Sequence, residues 1–189
     1  TFPFLHDWSD GVLVERYSFL TNIIESHSGK EQRIKLRKYP RRQIESKILT
    51  ADSSNYMRNG LMRILFHNQT MFGMSKTWLV PVCTDYGLLG VQLSSGSTTI
   101  NVNTNFRDFL VDGYVLLYDK YDNYEIVRVD SMNSSSITLV APTTKEWNPG
   151  TTIAPMKQCV VGQETISGTT IVNEVESNTI LWDILVQDS

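Results

Sequence analysis

The chain has 189 residues, 41% hydrophobic and 20% charged, the proportions of a globular protein long enough to bury one large core or two small ones. Apolar stretches such as residues 111–118 are far shorter than the roughly 20 residues that a spanning helix needs, so no membrane span is expected. The net charge is −3, yet residues 30–47 carry eight Lys or Arg against Glu31 and Glu45, a local +6 that leaves −9 in the remainder. A split of this kind marks a surface suited to an acidic partner: nucleic acid, a membrane surface, or the acidic part of a neighbouring copy.

Phe2, Pro3, Phe4, Leu5 and Trp8 form an aromatic-rich arm closed by the turn signal Ser9-Asp10-Gly11. The arm is expected to dock on its own core or on a neighbour, and it lacks the basic start and continuous apolar run of a secretion signal. Residues 12–24 mix β-branched and aromatic side chains in alternation, which predicts a long strand or a bent pair of strands, with a helix through Tyr17, Phe19, Leu20, Ile23 and Ile24 as the alternative. A polar turn at residues 25–29 leads into the basic stretch. There Arg33, Lys35 and Arg37 alternate with Ile34, Leu36 and Lys38, the period of a strand with one cationic and one mostly apolar face. Pro40 ends that strand because it has no N–H to donate. Residues 43–49 resume as a second strand, so the whole reads as a basic hairpin.

Asp52, Ser53 and Ser54 are N-cap candidates, and Tyr56, Met57, Leu61, Ile64 and Leu65 follow at helical spacing. A short helix is therefore predicted near residues 54–67, despite Gly60. Met57, Met62, Met71 and Met74 read as adaptable packing rather than ligands. Residues 77–83 form a short apolar strand whose Pro81 belongs at an edge or strand end.

Beyond residue 85 the composition turns to Ser, Thr, Asn and Gly, with short strands at 88–93, 98–102, 114–118, 124–129, 136–140 and 152–155 between polar turns. That cadence predicts a small antiparallel β-sandwich or barrel, with Phe106-Arg107-Asp108-Phe109 covering one open end. Two further strands are expected at 169–176 and 179–186. The last is almost continuously apolar, and burial against another subunit would remove a sticky edge. The expected fold is mainly β, with residues 1–84 as an interface region containing the basic hairpin and the helix, and 85–189 as the sandwich or barrel.

The nucleophile elbow, the P-loop, the dinucleotide fingerprint and the HExxH zinc motif do not occur. His6, His27 and His67 are scattered, and Asp119, Asp122 and Asp130 lack the Gly and Glu of a calcium loop. Cys83 and Cys159 are far apart and read as two buried thiols rather than a disulfide or zinc site. An enzyme is disfavoured; no catalytic, cofactor-binding or metal residues are assigned, and no cofactor is expected.

Several segments together resemble structural proteins from the tail tips of long-tailed bacteriophages. They are Trp8 with Gly11-Val12-Leu13-Val14-Glu15, Phe19-Leu20-Thr21-Asn22-Ile23-Ile24, Ser28-Gly29-Lys30-Glu31-Gln32-Arg33 and Tyr39-Pro40-Arg41-Arg42, then Trp78-Leu79-Val80-Pro81-Val82 and Trp147-Asn148-Pro149-Gly150-Thr151. The likeness is strongest over residues 8–82. It implies a non-enzymatic virion protein, made in the host cytoplasm and built into the tail. There it would form a homo-oligomeric ring that joins the tail tube to the hub and the receptor-binding proteins. It also implies an interface role for Gly29, Glu31, Gln32, Arg33, Pro40, Arg41 and Arg42. Charge adds Lys30 and Arg37 to that set, and apolar character adds Trp8 and Trp182.

A ring needs a heterologous contact, and a +6 ribbon beside a −9 remainder offers complementary faces. Two other readings stay open. A small β module could bind carbohydrate through Tyr121, Tyr124 and Trp147, or the basic ribbon could contact nucleic acid. Tyr39 is the sole aromatic within that stretch, which is poor for base stacking and disfavours the latter.

Overall fold

The computed structural model describes residues 6, 13–51, 76–120, 123–162, 168–171 and 175–185, with the backbone alone at 47–51, 168–171 and 175–182. Among these it is a mainly β protein with thirteen strands and no helix; the helix expected near 54–67 lies outside the described residues. Every strand pairing of defined register is antiparallel. No described helix is long and apolar enough to cross a membrane.

The chain divides into two compact units. One takes Trp78–Gln158, and the other takes the described parts of His6–Thr77 together with Cys159–Ser189. The boundaries differ from the expected 1–84 and 85–189: residues from Cys159 onward group with those before Trp78. Backbone pairing is the reason, because the last strand finds its partner in residues 42–51.

In the mid-chain unit the strands are β5 (Trp78–Pro81), β6 (Gly87–Leu88), β7 (Thr99–Asn101), β8 (Tyr114–Lys120), β9 (Asn123–Met132), β10 (Ser136–Leu139) and most of β11 (Thr152–Val161). Their order is β7-β10-β9-β8-β11, with β5 and β6 also on β11. Pro81 closes β5, as its missing N–H requires.

Alternation along β8 explains its apolar run. Val115 and Leu117 face a core of Leu89, Ile100, Phe109, Val127, Val129, Ile137, Trp147 and Ile153, while Leu116 faces Ala154 and Met156. A strand that buries side chains on both faces reads as continuously hydrophobic. The stretch expected as one strand over 88–93 supplies only Leu88 to β6 and a single bridge from Leu93 to Trp147, and its Leu89 and Leu93 are core side chains. Of the segment expected to cover an open end, Phe109 is buried and Phe106 is fully exposed with a left-handed backbone, φ 58°. Both thiols, Cys83 and Cys159, are buried.

In the split unit, β1 (Val14–Ser18), β4 (Arg41–Ala51), β13 (Val175–Ile184) and the last residues of β11 lie side by side in that order, and β12 (Gly168–Ile171) also pairs with β13. The expected strand over 12–24 is a bent pair, β1 and then β2 (Thr21–Glu25), broken at Phe19-Leu20. β13 is an interior strand, flanked by β4 on one edge and by β12 and β11 on the other. The sticky edge expected of it is absorbed within its own sheet, with no second subunit required.

The basic stretch is not a hairpin. β3 (Glu31–Lys35) pairs with β2, from Thr21↔Lys35 to Glu25↔Glu31, whereas β4 pairs with β1, from Ser18↔Arg41 to Val14↔Glu45. The four strands are one long nested hairpin, interrupted where Phe19 and Leu20 face the connection 36–40. Pro40 cannot donate to a ladder at that break. Replacing Leu117, fully buried in the mid-chain core, with Ala is expected to cost about 3 kcal/mol in urea unfolding monitored by tryptophan fluorescence.

Candidate subunit interface

The β2–β3 ribbon turns through Ser26-His27-Ser28-Gly29. The Gly29 N–H donates to the Ser26 carbonyl at 2.9 Å, and the Ser26 N–H donates to the Lys30 carbonyl at 2.8 Å. Gly29 has φ +77°, the left-handed position that closes a three-residue hairpin loop at no steric cost to glycine. The Ser26 hydroxyl accepts from the Lys30 N–H at 3.1 Å and fixes the same corner.

Pairing assigns two faces to the ribbon. Asn22 lies opposite Ile34, Ile24 opposite Gln32, and Leu36 donates its N–H to the Leu20 carbonyl. Leu20, Ile24, Ile34 and Leu36 therefore share one face with Asn22 and Gln32, while Ile23, Arg33 and Lys35 share the other with Thr21, Glu25 and Glu31. Every residue from Arg16 to Tyr39 is exposed, including these four aliphatic side chains at 38–56%.

The cations of the basic stretch fall into two groups. Arg42 donates to Glu15 at 3.0 Å and lies over the Tyr17 ring, whose hydroxyl also donates to Glu15, at 2.9 Å. Arg41 donates to Asp183, and Gln43 donates to the other oxygen of the same carboxylate at 2.5 Å. Asp183 is buried on β13, and Gly162 leaves room for it: a Cβ on Gly162 would stand 2.8 Å from the carboxyl carbon. These residues brace β1, β4 and β13 against one another. Arg33 pairs with Glu31 at 2.5 Å in the open, a contact worth at most about 0.5 kcal/mol. Lys30, Lys35 and Arg37 form no ion pair with any described residue, and the Lys38 ammonium lies 5.0 Å from the Tyr39 ring centroid.

An open groove of about 350 Å³ runs beside the break. Arg37, Tyr39 and Pro40 line it from the connection before β4 and Arg41 from β4 itself, with Val160 of β11, Asp183 and Ile184 of β13, and Leu185 just beyond.

Of the residues singled out in the sequence, Gly29, Lys30, Glu31, Gln32 and Arg33 sit together on the ribbon. Arg37 and Pro40 sit at the groove, and Arg41 and Arg42 are engaged inside their own unit. The backbone of Trp182 lies between Ile44 and Val161, so it is interior to the sheet; Trp8 lies outside the described residues. The aliphatic face of Leu20, Ile24, Ile34 and Leu36 was half legible, since the alternation of Ile34 and Leu36 is visible but their partner strand is not. Asp183 gave no sequence signal at all.

Trp147, a candidate sugar platform, is 1% exposed, and its indole N–H donates to Glu125 at 3.1 Å. It is a core residue, because Thr144 and Lys145 close the chain over it through Glu125 and Tyr124. Tyr124 is partly exposed, and Tyr121 lies outside the described residues.

No protein-family model matches the chain, and no curated protein shows significant similarity to it. Replacing Asp183 with Ala, which strips Arg41 and Gln43 of their acceptor, is expected to lower stability by about 2 kcal/mol in chemical denaturation. Arg33→Ala on the open ribbon should change it by less than about 0.5 kcal/mol.

Proposed function

We propose that this chain is an architectural protein of the tail tip of a long-tailed bacteriophage. It would be a non-enzymatic subunit of a ring that joins the tail tube to the hub and the receptor-binding parts. One observation carries the proposal: the exposed segment from Arg16 to Tyr39 holds a turn-closed ribbon, an aliphatic face and four cations, Lys30, Lys35, Arg37 and Lys38, that form no ion pair with any described residue. An isolated two-stranded ribbon is marginal in water, so a second surface is needed to complete it. The resemblance over residues 8–82 supplies the tail-tip setting. We also read the unit Trp78–Gln158 as a two-layered sandwich or barrel, because β8 buries side chains on both of its faces.

The division of labour among the cations selects the residues that meet a neighbour. Lys30, Lys35 and Arg37 are available to carboxylates on another copy, whereas Arg41 and Arg42 already serve their own sheet. Exposed charges set encounter and register and are screened by salt, while aliphatic burial supplies most of the affinity. Carbohydrate binding loses its main support with Trp147 in the core.

Purified full-length chain is expected to have the mass of a closed oligomer by light scattering at low salt. The triple variant Lys30→Glu, Lys35→Glu, Arg37→Glu should be monomeric with an unchanged melting temperature. A wild-type monomer at all concentrations would overturn the ring, as would a label on the chain that maps away from the tail tip in imaged particles. Retardation of DNA by the wild type, abolished in the triple variant, would favour the nucleic-acid reading instead.

A further inference from the structure

The ribbon has two faces and two backbone edges, and these differ in what they can accept. Its β3 edge carries Lys30, Arg33 and Lys35, and charged side chains along an edge strand oppose the addition of a further strand. The face that holds Arg33 and Lys35 also holds Glu25 and Glu31 and is charged but balanced. The opposite face presents Leu20, Ile24, Ile34 and Leu36 in three successive cross-strand rows, with Asn22 beside Ile34 and Gln32 beside Ile24. Four aliphatic side chains exposed on one face of a two-stranded ribbon have nothing of their own sheet to bury against.

We infer that this aliphatic face docks on the mid-chain unit of a second copy of the chain. Charge selects that occupant. The segment 16–39 carries six Lys or Arg against two Glu, so two copies of it repel one another as wholes. The unit Trp78–Gln158 carries eight Asp or Glu against five Lys or Arg. Within it, exposed Asp130 forms no ion pair with any described residue, and Leu88, Val91 and Val140 are exposed aliphatic side chains. A net acidic unit with exposed aliphatic side chains complements a basic ribbon with an aliphatic face. Because donor and acceptor are different surfaces, the contact is head-to-tail, and its repetition produces a ring or a filament rather than a two-fold dimer. The inference rests on the oligomeric part of the proposed function and adds which face meets which unit.

Neighbouring positions on opposite faces make the test specific. Ile23→Cys and Ile24→Cys are each labelled with a polarity-sensitive fluorophore; the native Cys83 and Cys159 are buried and label slowly. With rising protein concentration, the label at 24 should shift to the blue and lose access to a soluble quencher, and the label at 23 should not. The unlabelled pair Ile34→Ser, Leu36→Ser should raise the dissociation constant at least tenfold at unchanged melting temperature. In the wild-type background, Asp130→Lys should weaken assembly, and high salt should weaken it similarly.

If the wild type assembles but both labels respond alike, or neither does, the face assignment is wrong and the ring stands. Assembly undiminished in the Ile34→Ser, Leu36→Ser variant overturns the assignment in the same way. A wild type that stays monomeric overturns both. Protection at position 24 that appears only when duplex DNA is added overturns the choice of occupant.

Discussion

A β-strand can be paired along two edges and no more, and β4 has both taken where it begins. β1 occupies Arg41 to Glu45 on one side, and β13 occupies Arg42 onward on the other. The connection 36–40 is too short to carry β3 past those residues to a free part of the edge. β3 is thereby denied the neighbour that follows it in sequence and pairs with β2. From that single exclusion come the nested hairpin, the break at Leu20 and Leu36, and a two-stranded ribbon without a second layer.

The same exclusion sorts the basic residues. Those that fall on β4 are drawn to carboxylates within the sheet: Arg42 to Glu15 across β1, and Arg41 to Asp183 across β13. Asp183 is buried, so its charge is tolerated only because a guanidinium and an amide satisfy both of its oxygens. Among the described residues, those that fall before Pro40 pair with no carboxylate except Glu31 beside Arg33. A run of uniform composition thus performs two tasks, bracing on one side of a proline and presentation on the other.

The mid-chain unit follows a different logic. Its strands close on one another through a core that continues on both faces of β8, and its polar loops are fastened by side chains such as Asn133 and Glu125. It carries eight Asp or Glu against five Lys or Arg, so the unit is richer in acid than base. The ribbon has the opposite profile, basic and with an aliphatic face uncovered.

Local pattern was enough to place most strands, because alternation and turn residues act within a few positions: β8, β9 and β10 fall where their apolar runs and flanking Asn, Asp and Gly put them. The break at Pro40 and the turn at Gly29 were legible for the same reason, since each is a property of one residue's backbone. Pairing was not. That β3 joins β2 rather than β4, that β13 lies inside the sheet instead of at an edge, and that Trp147 is a core residue depend on partners tens of residues away. The sequence by itself determined strand content, the turn chemistry and the local excess of positive charge. Only the tertiary structure decided which cations are spent on Glu15 and Asp183 and which stay exposed without a described carboxylate, because that choice is made by backbone hydrogen bonds competing for a limited number of strand edges.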